Sequence, residues 1–214
     1  MFFGIDLTSS ERRPSACVCL NKELDIVFQG FLYTDSEIIA SINKLLPEVI
    51  AIDAPLSIPS GYCCLDEACA CHLKSSVKGR ACERELARMG IPCYFTTKRS
   101  IIKEMVVRGI ALRRGLEKLG YVVIEVYPFA SKVRLFGKPI PRKTRSEGLL
   151  WLREKVKELT DSRDVCDWSH DLCDAAMATY TGILYSRGDI DVMGDEEEGL
   201  LYIPKNSCGR KETC

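Results

Sequence analysis

Five carboxylates stand where chemistry could use them. Asp6 closes the apolar run "FFGID", Asp53 closes "VIAID" and Glu125 sits inside "YVVIEVYP". Asp171 and Asp174 lie three residues apart in "HDLCDAAMATYTGILYSRG". A charge inside an apolar strand is costly without a partner, and clustered carboxylates repel one another unless protons or cations offset them. Hard oxygen donors suit Mg²⁺ or Mn²⁺, with positions left open for a substrate phosphate. Two such ions, about 3.5–4 Å apart, would clamp the attacking and leaving oxygens of a phosphodiester displacement. Each acid alone has a plainer reading: a salt bridge for Asp6, a turn cap for Asp53, an edge-strand charge for Glu125, the helix macrodipole for Asp171. Taken together, three acids in three apolar strands and a pair on one helical face are better explained by a shared site.

For these acids to meet, their elements must be neighbours. Residues 2–33 read as an antiparallel meander of three strands, "FFGIDLT", "SACVCLN" and "LDIVFQGFLY". A helix follows over "DSEIIASINKLL", with Asp35 or Ser36 as its cap and Pro47 ending it. "EVIAID" and "YVVIEVYP" are short apolar runs of the kind found in buried parallel strands. Between them lie an irregular cysteine-rich stretch and two helices, around "CERELARMG" and over "KRSIIKEMVVRGIALRRGLEKLG". Towards the end, "SEGLLWLREKVKEL" and "SHDLCDAAMATYTGILYSRG" read as helices, the latter capped by Ser169 and ended by Gly188, and "EGLLYIP" as a last short strand. Three hairpin-linked strands followed by parallel additions predict an α/β fold with a mixed five-stranded sheet flanked by helices. Its parallel neighbours would present Asp6, Asp53 and Glu125 near their carboxyl ends, where open α/β sheets bind ligands. The expected organisation is one domain over 1–204, an insertion over about 56–118, and a tail at 205–214.

With 46% hydrophobic and 28% charged residues, the 214-residue chain can bury a core and does not have the composition of a disordered segment. It shows no apolar run long enough to span a bilayer and no leader pattern, so the cytoplasm is the expected compartment, without a membrane partner. The formal net charge of zero argues against a general polyanion coat. Charge is nonetheless uneven: Val126 to Ser146 holds Lys132, Arg134, Lys138, Arg142, Lys143 and Arg145 and no acid, which permits a local phosphate-binding face.

Twelve cysteines point to metal binding or reactive thiols in a leaderless chain. One Gln and three Asn beside many charged residues hint at a thermophile, where intracellular disulfides also occur. "CCLDEACACH" supplies Cys63, Cys64, Cys69, Cys71 and His72, with Cys82 and Cys93 downstream. A zinc or iron–sulfur site, disulfides and free thiols remain three open readings. The spacing matches neither paired C-x₂-C nor a ferredoxin run, and adjacent Cys63 and Cys64 are awkward partners for one ion. His170, beside the helical acids, is a candidate general base, and a helix-start surface group is its plainer reading.

The segments "GIDLT", "AIDAPLSIP", "GRACERELARMGIP", "GYVVIEVYP" with "LFG", and "HDLCDAAMATYTGILYSRGD" with "EGLLYIP" resemble the domain of unknown function family 429. That family is described as predicted nucleases with a ribonuclease H-like fold, and the resemblance covers most of residues 1–204. By analogy with ribonuclease H-like enzymes and Holliday-junction resolvases, it implies that Asp6 is the first-strand acid and Asp53 the fourth-strand acid. Asp174, with Asp171, becomes the acid pair of the last helix. Metal ligands would be Asp6, Asp53 and Asp174, and Glu125 belongs to the family's own "EVYP" segment. Arg80 and Arg84 of "GRACER" become candidates for substrate phosphates, with Thr8 and His170 beside them. The expectation is a Mg²⁺- or Mn²⁺-dependent nuclease acting on DNA or RNA, with a homodimer compatible with the resemblance. Two other classes stay open: a non-catalytic nucleic-acid- or partner-binding module, and a phosphotransferase of the actin-like or sugar-kinase type. The latter lacks a glycine-rich phosphate loop here.

Overall fold

The computed structural model describes residues 1–73, 77–160 and 163–206. Its first three strands, β1 (Phe2–Asp6), β2 (Ser15–Leu20) and β3 (Ile26–Leu32), form the expected meander. Helix α1 (Asp35–Leu45) then returns the chain so that β4 (Val49–Asp53) pairs parallel with β1. The cap of α1 is Thr34, one residue before the predicted Asp35, because Thr34 and Glu37 form a reciprocal capping box. After a long connection carrying α2 (Ala81–Arg88) and α3 (Lys103–Lys118), β5 (Val123–Val126) adds parallel to β4.

Helix α4 (Pro128–Phe136) follows β5 directly, its start set by Pro128, whose fixed φ and missing N–H suit a first turn. Helices α5 (Ser146–Thr160) and α6 (His170–Arg187) lead to a final hairpin, β6 (Ile190–Asp195) and β7 (Gly199–Pro204). The sheet thus has seven strands in the order β3-β2-β1-β4-β5-β7-β6, two more than the five expected. The added pair continues the sheet, since β7 runs parallel to β5. The edge strand β6 was the hidden one: "IDVMGD" is half-exposed and carries acids and glycine, so it lacks a strong alternation.

Alternation along the strands feeds two layers. Phe2, Val49, Ala51, Ile124 and Val126 pack beneath α5 and α6. Phe3, Ile5, Ile50 and Ile52 pack on the opposite face with Ile38 and Ile42 of α1 and Leu112 and Leu116 of α3. A third cluster joins α2 to the final hairpin through Cys82, Leu86, Met193, Leu201 and Ile203. Among the described residues no helix is long and apolar enough to cross a membrane. Of the expected tail, residues 207–214 lie outside the described residues.

Candidate functional site

Asp6 and Asp53 are register partners on the adjacent parallel strands β1 and β4. Both follow the alternation of Phe2–Gly4 and Val49–Ala51, so both face α6 at the carboxyl end of the sheet. Gly4 decides how closely α6 can lie on them. A Cβ at that position would stand 2.2 Å from Ala175 O and 2.4 Å from Thr179 N, so only hydrogen fits between β1 and the helix. Thr179 Oγ1 lies 3.0 Å from Val18 O, tying the helix to β2, and Gly182 faces Ala51. Ser169 caps the helix by accepting from Leu172 N at 3.2 Å, which leaves Asp171 and Asp174 in its first turns beside the strand acids.

Asp174 is buried and divides its oxygens between two lysines. Lys132 Nζ of α4 donates to Oδ1 at 2.8 Å, and Lys143 Nζ donates to Oδ2 at 3.1 Å and to Asp171 Oδ1 at 3.3 Å. Asp6 remains short of positive charge: burial, then Asp174 and Asp171, push its carboxyl up to about 7. Asp53 is raised well above the usual carboxylate range by burial, Asp6 and Asp174. Burial opposes the charge on Lys143, but Asp174, Asp6 and Asp171 outweigh it and hold the ammonium protonated. His170 opens α6 with its ring partly covered. Its Nδ1 is buried without a hydrogen-bond partner among the described residues, and burial and Lys143 lower its pKa.

Asp53, Asp174, Lys132, Lys143 and His170 share a cavity of about 320 Å³ with Tyr94, Tyr127, Phe129 and Trp151. One wall is therefore charged and the other aromatic. Neither lysine was singled out from the sequence, although both lie in its acid-free stretch. The aromatic wall had no sequence signal, because its members come from two helices, the cap of one of them and a loop.

Glu125 is not part of this cluster. It pairs in register with Ile52, not Asp53, and so occupies the opposite face of the sheet. There Arg80 grips it twice, NH1 to Oε2 at 2.8 Å and NH2 to Oε1 at 2.6 Å, while Leu56 N donates to Oε2 at 2.7 Å. Arg80 also pairs with Glu83, which accepts in turn from Thr96 N at 2.8 Å. Arg84 donates to Glu198 at 3.0 Å. Both arginines are thus engaged by carboxylates of the protein itself, and Arg80 is buried. Thr8 is likewise committed: its hydroxyl donates to Arg13 O at 2.7 Å and accepts from the buried Arg108 at 3.0 Å.

The cysteines divide. The Sγ atoms of Cys63, Cys64, Cys69 and Cys71 all lie within 4.8 Å of one another, a donor set suited to a metal such as zinc. The adjacent pair Cys63–Cys64 contributes both thiols, against the expectation from their spacing. His72 stands outside this group, exposed, its Nδ1 3.5 Å from Ala70 O. Cys82 is enclosed in the core beneath the final hairpin, and Cys93 lies 3.6 Å from Glu83 O.

The pattern of the family described as "Protein of unknown function (DUF429)" matches residues 4–199, and the chain belongs to that family. No curated protein matches the chain. Among solved structures it is similar to the "Thermus thermophilus RuvC structure", with 11% identity over 87% of this chain and 95% of that one and a TM-score of 0.49.

Proposed function

We propose that this member of the DUF429 family is a divalent-cation-dependent nuclease that hydrolyses a phosphodiester bond of a nucleic acid. The reading rests on one observation above all: the strand acid Asp53 and the buried helical acid Asp174 line a cavity together with two lysines and four aromatic side chains, and Asp6 stands beside Asp53 as its register partner. The donor set fits a hard cation. Four carboxylates, Asp6, Asp53, Asp171 and Asp174, face two ammonium groups, so the fully ionised cluster keeps two negative charges, and the raised carboxyls of Asp6 and Asp53 express that surplus. The surplus is the charge of one divalent ion. Asp6, Asp53 and Asp174 would hold it, with Lys132 standing in for part of the second ion that a two-metal arrangement would use.

When bound, the ion would polarise a phosphoryl oxygen and lower the pKa of water. The protein's own residues supply the rest. Lys132, buried against Asp174, holds that carboxylate in place. Lys143 is more than half exposed and has only carboxylate partners, so it is free to turn towards a substrate phosphate once a cation takes over Asp171 and Asp174. His170, neutral at pH 7, can accept a proton at the mouth of the site. Tyr94, Tyr127, Phe129 and Trp151 offer faces against which an unstacked base can lie.

The test is Mn²⁺ binding by calorimetry beside cleavage of single-stranded, duplex and branched DNA and RNA. The wild type is compared with Asp6→Asn and Asp53→Asn. Cation-dependent cleavage lost in both folded variants supports the reading. Cleavage that persists in either variant overturns it.

A further inference from the structure

The segment from Gly61 to Leu73 has no helix or strand, and Leu65 is its one fully buried side chain. So little apolar burial cannot by itself offset the entropy of ordering a dozen residues. Its four thiols nevertheless converge. Cys63 Sγ stands 3.5 Å from Cys69 Sγ and 4.0 Å from Cys64 Sγ, and all four sulfurs lie within 4.8 Å of one another. A tetrahedral ion with Zn–S bonds of about 2.3 Å places its sulfurs about 3.8 Å apart. An iron–sulfur cluster binds its thiolates to different irons and spreads them further. The observed spacing is that of a single ion.

The charge balance supports this. Four thiolates around a divalent ion leave two negative charges. Lys98 delivers an ammonium to the same place, donating to Cys69 O at 2.5 Å and Cys71 O at 2.6 Å, with the Tyr62 ring 5.3 Å away. Lys98 belongs to the stretch that carries Tyr94 into the carboxylate cavity and Thr96 onto Glu83. The cysteine segment is therefore fastened to one wall of that cavity.

We propose that Cys63, Cys64, Cys69 and Cys71 bind one zinc ion in a closed, four-thiolate site that braces residues 93–98 through Lys98. Four protein sulfurs leave no open position, so the ion is structural and not a second reaction centre. Zinc binds such sites more tightly than ferrous iron.

The test uses full-length, reduced protein with Cys208 and Cys214 replaced by Ser, so that residues beyond the described part contribute no thiol. Elemental analysis should find one zinc per chain, and Co²⁺ in its place should show the visible bands of a tetrahedral tetrathiolate complex. Cys71→Ser and Cys63→Ser should each weaken zinc at least tenfold in chelator competition, while Cys93→Ser should not. Removing zinc should raise hydrogen exchange over 61–73 and 93–98 and leave β1 and β4 unchanged. Reduced protein that takes up no zinc, a Co²⁺ spectrum without thiolate bands, or iron as the resident metal would overturn the assignment. Exchange at 93–98 that does not respond to zinc would overturn the brace. None of these outcomes depends on nuclease activity, so they stand or fall apart from the carboxylate site.

Discussion

Lys132 Nζ lies 2.8 Å from Asp174 Oδ1, and both side chains are about nine-tenths buried. The pair joins α4 to α6 and gives the carboxylate cluster a fixed internal positive charge. Removing one partner of a buried pair leaves the other uncompensated, at a cost of about 3–5 kcal/mol. Lys132→Met should therefore destabilise the metal-free protein by about 3 kcal/mol, and Mn²⁺ should recover part of that loss. Urea denaturation with and without Mn²⁺ measures both. Loss that Mn²⁺ cannot touch would mean that Asp174 is not a ligand.

The carboxyl of Asp6, held at about 7 in the fold against 3.8 ordinarily, ties stability to pH. The folded chain holds this proton more tightly than the unfolded chain. Its contribution is thus fully present below about pH 4 and is lost as pH rises through 7. Asp6→Asn should flatten that fall and, in chelator at pH 8, stabilise the protein by about 1–3 kcal/mol. Denaturation curves at pH 5 and pH 8 check it. A variant less stable than wild type at pH 8 would show that Asp6 is fully compensated without metal.

Gly4 offers a steric test. With its added Cβ 2.2 Å from a helix carbonyl, Gly4→Ala must lift α6 from β1. A loss of about 2–3 kcal/mol is expected, together with weaker Mn²⁺ binding, because Asp174 moves with the helix. Gly115→Ala is the control: it meets nothing within 4 Å in α3, and should gain up to about 1 kcal/mol.

Glu125→Gln separates the two faces of the sheet. Arg80 loses one of its two carboxylate partners in a buried place and keeps only Glu83, so stability should fall by about 2–4 kcal/mol. Mn²⁺ affinity should be unchanged, whereas Asp53→Asn should abolish it. Calorimetry on the folded variants decides, and equal loss in both would place Glu125 back in the cation site.

Tyr94 is 63% exposed and lines the cavity, so Tyr94→Ala should leave stability within about 0.5 kcal/mol of wild type. Binding of a short single-stranded oligonucleotide should weaken about tenfold, with an unchanged salt slope, since stacking and not phosphate contact is lost. Fluorescence anisotropy across a salt series measures it.

Much of this arrangement was legible in the sequence, for physical reasons that can be named. Charges closing "FFGID" and "VIAID" stand out because apolar strands tolerate them badly, and register puts those two side by side. Glu125 shows the same signal yet faces away, because a single residue of register chooses the face and sequence alone does not reveal the register. Lys132 was legible only as one charge of a basic stretch, because lysine is seldom buried and its pairing with Asp174 depends on a helix that starts at a proline. The thiol cluster was visible as composition, but which four cysteines meet is decided by a loop path with no periodicity to read.

Asp6, Asp53 and Asp174 come from β1, β4 and α6, segments far apart along the chain, and the parallel pairing that aligns the first two spans α1 and two earlier strands. Closing such long loops is slow and comes before any contact repays it. A cation held by all three acids would need β1, β4 and α6 in place at once. An ion that recognises only the finished chain also draws the population towards it in proportion to its concentration. Divalent cation in the refolding buffer should therefore act as a folding ligand before it acts as anything else.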